Sequence, residues 1–152
     1  MSQNSDTWPT KEGLRIGHLN INHAINKLPD ISSILSNSGR NFHIFGFSES
    51  RLSDHIMDTD ISIPGYTIIR KDPKLQRETG LLVYISQCIK FKRIFFLENL
   101  QVESVWIEIS MKRSKPLLVG FIYRNPSERV EWLDRFNLLM DAVANESKKQ
   151  FC

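Results

Sequence analysis

The chain has 152 residues, 41% of them hydrophobic, and its 20 basic and 17 acidic side chains give a net charge of +3. That is the length of one ordinary domain with enough apolar material for a core, which excludes a disordered chain. The basicity is mild: it tolerates a polyanionic partner without requiring one, since a dedicated nucleic-acid binder concentrates its charge in a patch.

Residues 1–13 read as a loose, polar leader without the basic-then-apolar order of a signal peptide, and residues 14–152 read as one domain. "LRIGHLNI" (Leu14 to Ile21) is an apolar-rich strand candidate. In "NKLPDISSILSNSG", Leu28, Ile31, Ile34 and Leu35 recur at helical spacing, with Pro29 suited to a first turn and Gly39 to a stop. "FHIFGF" predicts a second strand, too apolar on both parities to face water on one side. "ESRLSDHIMDTDIS" is expected to be a polar loop with Asp54, Asp58 and Asp60 simply solvated, and Pro64-Gly65 fits the centre of a type II turn. "YTIIR" and "GLLVYIS", the latter opened by Gly80, are strands flanking the charged loop "KDPKLQRET"; "KFKRIFF" reads as a further edge strand. "ESVWIEI" alternates Val105, Ile107 and Ile109 against Trp106 and Glu108, and "MKRSKP" turns it into "LLVGFIY" as a hairpin. "SERVEWLDRFNLLMDAVANESKK" predicts an amphipathic helix with Ser127 as N-cap and Val130, Leu133, Phe136, Met140 and Val143 as its buried stripe.

The order is β-α-β, a run of strands, then a helix: an α/β chain whose first two strands lie parallel. A helix of the last kind normally packs on a sheet and leads into another strand, so the fold is expected to be interrupted after "QFC". Cys88 and Cys152 stand far apart with no CxxC spacing, so neither a disulfide framework nor a zinc site is indicated. No stretch reaches the roughly 18 apolar residues of a membrane span. The expectation is a soluble intracellular chain, nuclear or cytoplasmic, with no membrane partner.

Three polar residues end apolar strands: Asn20, Glu49 and Tyr123. If those strands share one sheet with a common crevice edge, the three side chains converge. Glutamate is a hard oxygen ligand suited to Mg²⁺, asparagine orients a ligand or phosphate, and tyrosine donates its hydroxyl to a phosphate oxygen. Metal-assisted phosphodiester hydrolysis needs such a set. The competing reading is that polar residues end strands because loops begin there. His18, His23, His43 and His55 show no HExxH or HxH spacing and read as solvated or core histidines. No P-loop, GxGxxG or Ser-His-Asp order is present.

Six stretches in order, "LNINHAINKL", "IFGFSESRL", "ISIPGYTIIRKD", "TGLLVYIS", "ESVWIEI" and "LLVGFIYRNPS", together resemble the N-terminal part of the apurinic-type endonuclease domain of non-LTR retrotransposons of the jockey and related types. This family belongs to the exonuclease–endonuclease–phosphatase superfamily. The resemblance covers about residues 14–127. It implies a four-layered α/β sandwich with the active site between the loop edges of two sheets, C-terminally truncated here. By position, Glu49 matches the Mg²⁺-binding (or Mn²⁺-binding) glutamate, and Asn20 the asparagine that helps arrange metal and phosphate. Asn22 occupies a nearby substrate-binding position, and Tyr123 matches the tyrosine on the scissile phosphate. The implied reaction is Mg²⁺-dependent nicking of DNA, giving a 3′-hydroxyl that primes reverse transcription, in a polypeptide where a reverse transcriptase domain normally follows.

The departures matter. The family's Gly-Gly-Gly before the "VAIY"-like strand is reduced to Gly80, and "ETW" appears as "ESR", so Arg51 replaces an aromatic. The "GDFN" motif expected after the last helix, and the later "SDH" motif, do not follow residue 127. The expectation is an isolated chain that keeps part of the electrophile side and lacks the nucleophile side. The alternatives are a non-catalytic remnant or domesticated binding module of the same fold, and a phosphatase acting on a small phosphorylated substrate.

Overall fold

The computed structural model describes residues 13–36 and 41–149. Strand β1 (Ile16–Asn20) passes through a short 3₁₀ turn (Ala24–Lys27) into helix α1 (Leu28–Ser36), with Pro29 in its first turn. Ile31 and Leu35, one turn apart, are the buried side of α1. The expected stop at Gly39 lies outside the described residues, as do the leader up to residue 12, Cys152 and the "QFC" end. Strand β2 (Ile44–Ser48) is buried throughout and pairs in parallel with β1, setting Asn20 beside Ser48.

Strands β3 (Tyr66–Lys71) and β4 (Leu81–Ser86) complete the first sheet in the order β1-β2-β4-β3, antiparallel apart from the β1–β2 pair. The turn into β3 is as expected: the Tyr66 N–H donates to the Ile63 carbonyl at 3.1 Å, and Gly65 supplies the positive φ of 85°. The second sheet is antiparallel, in the order β5-β6-β7, from Phe91–Arg93, Glu103–Ile109 and Leu117–Tyr123. "KFKRIFF" is an edge strand only over its first half; from Phe95 to Asn99 the chain forms a 3₁₀ turn that leaves Phe95 and Phe96 exposed.

Three apolar clusters show how these pieces stack. Phe45, Phe47, Leu82 and Tyr84 on the outer face of the first sheet pack with α1 and with Leu52, Ile61 and Ile63. Ile44, Ile69, Val83 and Ile85 on its inner face meet Val105, Ile107, Ile109 and Phe121 of the second sheet. Trp106 on the outer face of the second sheet packs with helix α2 (Glu131–Lys149) through Trp132 and Leu139. Strand β2 is therefore apolar on both parities because each face has its own core. The alternation in β6 likewise separates two cores instead of core from water.

Three expectations need correction. Helix α2 begins at Glu131, and Ser127 is not its N-cap: the Ser127 N–H and hydroxyl both donate to Asn125 Oδ1, at 3.0 and 2.8 Å. Ser127 belongs to a turn headed by the Asn125 side chain, four residues before the helix begins. Val130 and Leu133 are 75% and 48% exposed. The stripe that meets the sheet is Trp132, Phe136, Leu139, Met140 and Val143, rotated from the expected one. The acidic loop is also more than solvated. Arg70 donates to Asp58 and Asp72 and to the carbonyls of Ser53 and Ile56, tying that loop to β3. No helix among the described residues is long and apolar enough to cross a membrane.

Candidate functional site

The parallel register of β1 and β2 brings Asn20 to the same strand end as Ser48, and Glu49 follows one residue later. Strand β7 belongs to the other sheet, so the three strands do not share one sheet, the condition under which the strand ends alone suggested convergence. The side chains meet nonetheless, because the sheets stack face to face with these ends on one side. Tyr123 Oη donates to Glu49 Oε1 at 2.5 Å, and Asn20 Nδ2 donates to the same oxygen at 2.8 Å. Asn20 is oriented in turn by the Asn22 N–H, which donates to its Oδ1 at 3.2 Å. Asn22 therefore enters the cluster through its main chain. Arg51 donates to the other carboxylate oxygen, Oε2, at 3.2 Å.

The backbone beneath Glu49 is held in an uncommon shape. Glu49 and Arg51 have φ of 53° and 49°, in the left-handed region that costs a non-glycine residue free energy unless its surroundings fix it. They are fixed from both sides. The N–H groups of His23 and Ala24 donate to the carbonyls of Glu49 and Ser50, while those of Ser50 and Arg51 donate to the carbonyls of Gly80 and Thr79. Gly80 itself has φ of 91°, and the Ser50 hydroxyl occupies the space a β-carbon there would need. The lone glycine before β4 is thus required twice over, by conformation and by space.

The electrostatics follow from these contacts. Glu49 is held below the ordinary carboxylate range, first by the Tyr123 hydrogen bond and then by Asn20, with burial opposing and Arg51 assisting. Burial and the Glu49 carboxylate push the Tyr123 phenol up to about 12. At neutral pH the pair is an ionised acceptor and a protonated donor. Oε1 is saturated by two donors; Oε2 has one, and the side chain keeps 17% of its surface open. Oε2 is therefore the oxygen available to a hard cation. Among the described residues no group of three or more His, Cys, Asp or Glu gathers. A site built on the Glu49 carboxylate would need water or substrate oxygens to complete it, a coordination that Mg²⁺ accepts and structural Zn²⁺ sites do not use.

Of the histidines, His23 touches this cluster through its main-chain N–H on the Glu49 carbonyl, whereas His18 lies against Phe121, with ring centroids 6.3 Å apart, and its pKa is lowered by burial. The tripeptide Ser53-Asp54-His55 does occur, but in the loop after Glu49, where the Ser53 carbonyl accepts from Arg70. A residue missed at the sequence level is Glu103. Its parity with Val105 and Ile107 placed it on a buried face, a signal that an acid there has a partner. No family model matches the chain, and no curated protein matches it.

Proposed function

We propose that this chain is the metal-gripping half of a Mg²⁺-dependent DNA endonuclease domain of the exonuclease–endonuclease–phosphatase type, as carried by non-LTR retrotransposons. The observation that carries the reading is the convergence of Asn20 and Tyr123, from two different sheets, on one oxygen of an ionised Glu49. The stacking order of helix, sheet, sheet and helix supports the four-layered sandwich. In this reading Glu49 Oε2 holds the cation, which when bound offsets negative charge developing on a phosphate. Asn20 fixes the carboxylate and Tyr123 presents a protonated hydroxyl at the mouth. Arg51, 42% exposed and 3.2 Å from Oε2, would be the side chain within reach of a phosphate oxygen were a cation to occupy Oε2.

The outer strands support a missing complement. The edges β3 and β5 carry Arg70, Lys71 and Arg93, which are tied to Asp58, Asp72 and the Phe95–Asn99 turn at Glu98, and Lys92, which is exposed. The edges β1 and β7 carry no Asp, Glu, Lys or Arg and leave Ile16, Leu19 and Leu117 at least 39% exposed. Among the described residues both sheets are thus open on one flank, where further strands of the domain, with residues to activate water, would join.

Catalytic members that act as a unit are not additive, so the isolated chain is expected to bind the cation and to leave DNA intact. Titration with Mn²⁺ followed by electron paramagnetic resonance tests the grip: binding is expected in the parent and lost in Glu49→Ala. Equal binding in both overturns the assignment. Robust nicking of supercoiled plasmid, abolished by Glu49→Ala, would instead make the chain a competent nuclease by itself.

A further inference from the structure

We infer that Glu103 is a positioning residue for Glu49, acting through the Thr79-Gly80 segment as a clamp between the two sheets; this rests on the proposed reading of Glu49 as the cation ligand. Glu103 opens β6 and stands directly opposite Tyr123 in the ladder, so both side chains leave the same face of the second sheet. Both reach the first sheet. Tyr123 reaches it at Glu49. Glu103 reaches it at the residues before β4: its Oε1 accepts from the Gly80 N–H at 2.6 Å, the Thr79 N–H at 3.0 Å and the Thr79 hydroxyl at 3.4 Å.

The next link is main chain. The carbonyls of Thr79 and Gly80 accept from the N–H groups of Arg51 and Ser50 at 2.9 and 3.2 Å. Those two peptide units flank Glu49 on its C-terminal side and hold it and Arg51 at positive φ. Thr79 is 6% exposed, and the Ser50 hydroxyl is buried against Gly80, so the segment has little room to shift. One carboxylate thereby organises the two donors of residues 79 and 80, whose acceptors organise residues 50 and 51. Without it, two N–H groups in a buried segment lose their acceptor, and the turn that aims Glu49 loses its brace. The acceptor geometry does this work and not the charge, so glutamine, with a carbonyl oxygen in the Oε1 place, serves as well.

The experiment compares the full chain with Glu103→Ala and Glu103→Gln by amide hydrogen exchange and by Mn²⁺ titration, with Glu49→Ala as the control. In Glu103→Ala the Ser50 and Arg51 amides are expected to exchange at least about tenfold faster and Mn²⁺ affinity to fall by about tenfold, the usual scale for removing an outer partner of a metal ligand, while the β4 core amides keep their protection. Glu103→Gln is expected to restore both. Unchanged exchange at Ser50 and Arg51, faster exchange with unchanged Mn²⁺ affinity, or a glutamine variant as impaired as alanine each overturns the clamp. If Glu103→Ala does not fold, Glu103→Asp, one methylene short of the segment, is expected to show the same two losses, and parent-like behaviour overturns the clamp. Failure of the metal reading is separately visible, as parent-like Mn²⁺ binding by Glu49→Ala, and the exchange rates still judge the brace.

Discussion

Replacing Tyr123 by phenylalanine removes one hydroxyl and leaves the ring in place between the sheets, so it isolates the hydrogen bond to Glu49. That bond is the shortest of the three on the carboxylate, 2.5 Å against 2.8 Å from Asn20 and 3.2 Å from Arg51, and it is the foremost cause of the lowered Glu49 pKa. A hydrogen bond to a charged group contributes about 1.5–3 kcal/mol. The Glu49 side chain is 17% exposed, so water replaces part of what is lost and the lower end applies: ~1.5 kcal/mol, or a fall in Tm of roughly 3–6 °C for a chain of this size. Because the folded-state pKa of Glu49 lies below its unfolded value, the group's stabilisation is full above the unfolded pKa and is lost as pH falls through the folded one. Tyr123→Phe brings the two values closer, so the variant loses less further stability than the parent on acidification below the ordinary carboxylate range. Thermal melts at neutral and acidic pH, with carbon NMR titration of the Glu49 carboxyl, measure both effects. An unchanged Tm together with an unchanged Glu49 titration would show that Tyr123 bonds water in solution and that the cross-sheet contact is not a feature of the site.

Gly80→Ala is expected to destabilise by about 2–3 kcal/mol, measured by urea unfolding, since alanine resists φ of 91° and its β-carbon meets the Ser50 hydroxyl; a loss below 0.5 kcal/mol would contradict the packing described. Arg51→Ala removes a pair whose guanidinium side is 42% exposed, so stability is expected to change by less than about 1 kcal/mol. In the same variant Mn²⁺ is expected to bind more tightly, because Oε2 no longer carries a competing cation; weaker binding would assign Arg51 a supporting role instead. The exposed edge strand β1 is expected to make the chain scatter light on concentration and Leu19→Lys to reduce that scattering; equal scattering from parent and variant would contradict a role for this edge.

The sequence by itself determined most of the elements and picked out three side chains that the fold brings together. Period-two and period-3.6 patterns located seven strands and two helices, Pro64-Gly65 fixed a turn, and the helix between β1 and β2 required a parallel pair. It also named Asn20, Glu49 and Tyr123, because each stands at the polar end of an apolar run. Where the reading failed, local alternatives were close in free energy. At Ser127 an asparagine two residues earlier forms its own turn before the helix begins, and on α2 the face chosen is the one that sets Trp132 and Leu139 together against Trp106 on the sheet. Only the tertiary structure decided that β7 lies in a second sheet and still delivers Tyr123 to Glu49, since strand order and sheet stacking come from long-range pairing that no local pattern encodes. The same holds for Glu103: a sequence shows an acid on a buried parity, and only the stacked sheets supply the backbone donors that make its burial tolerable.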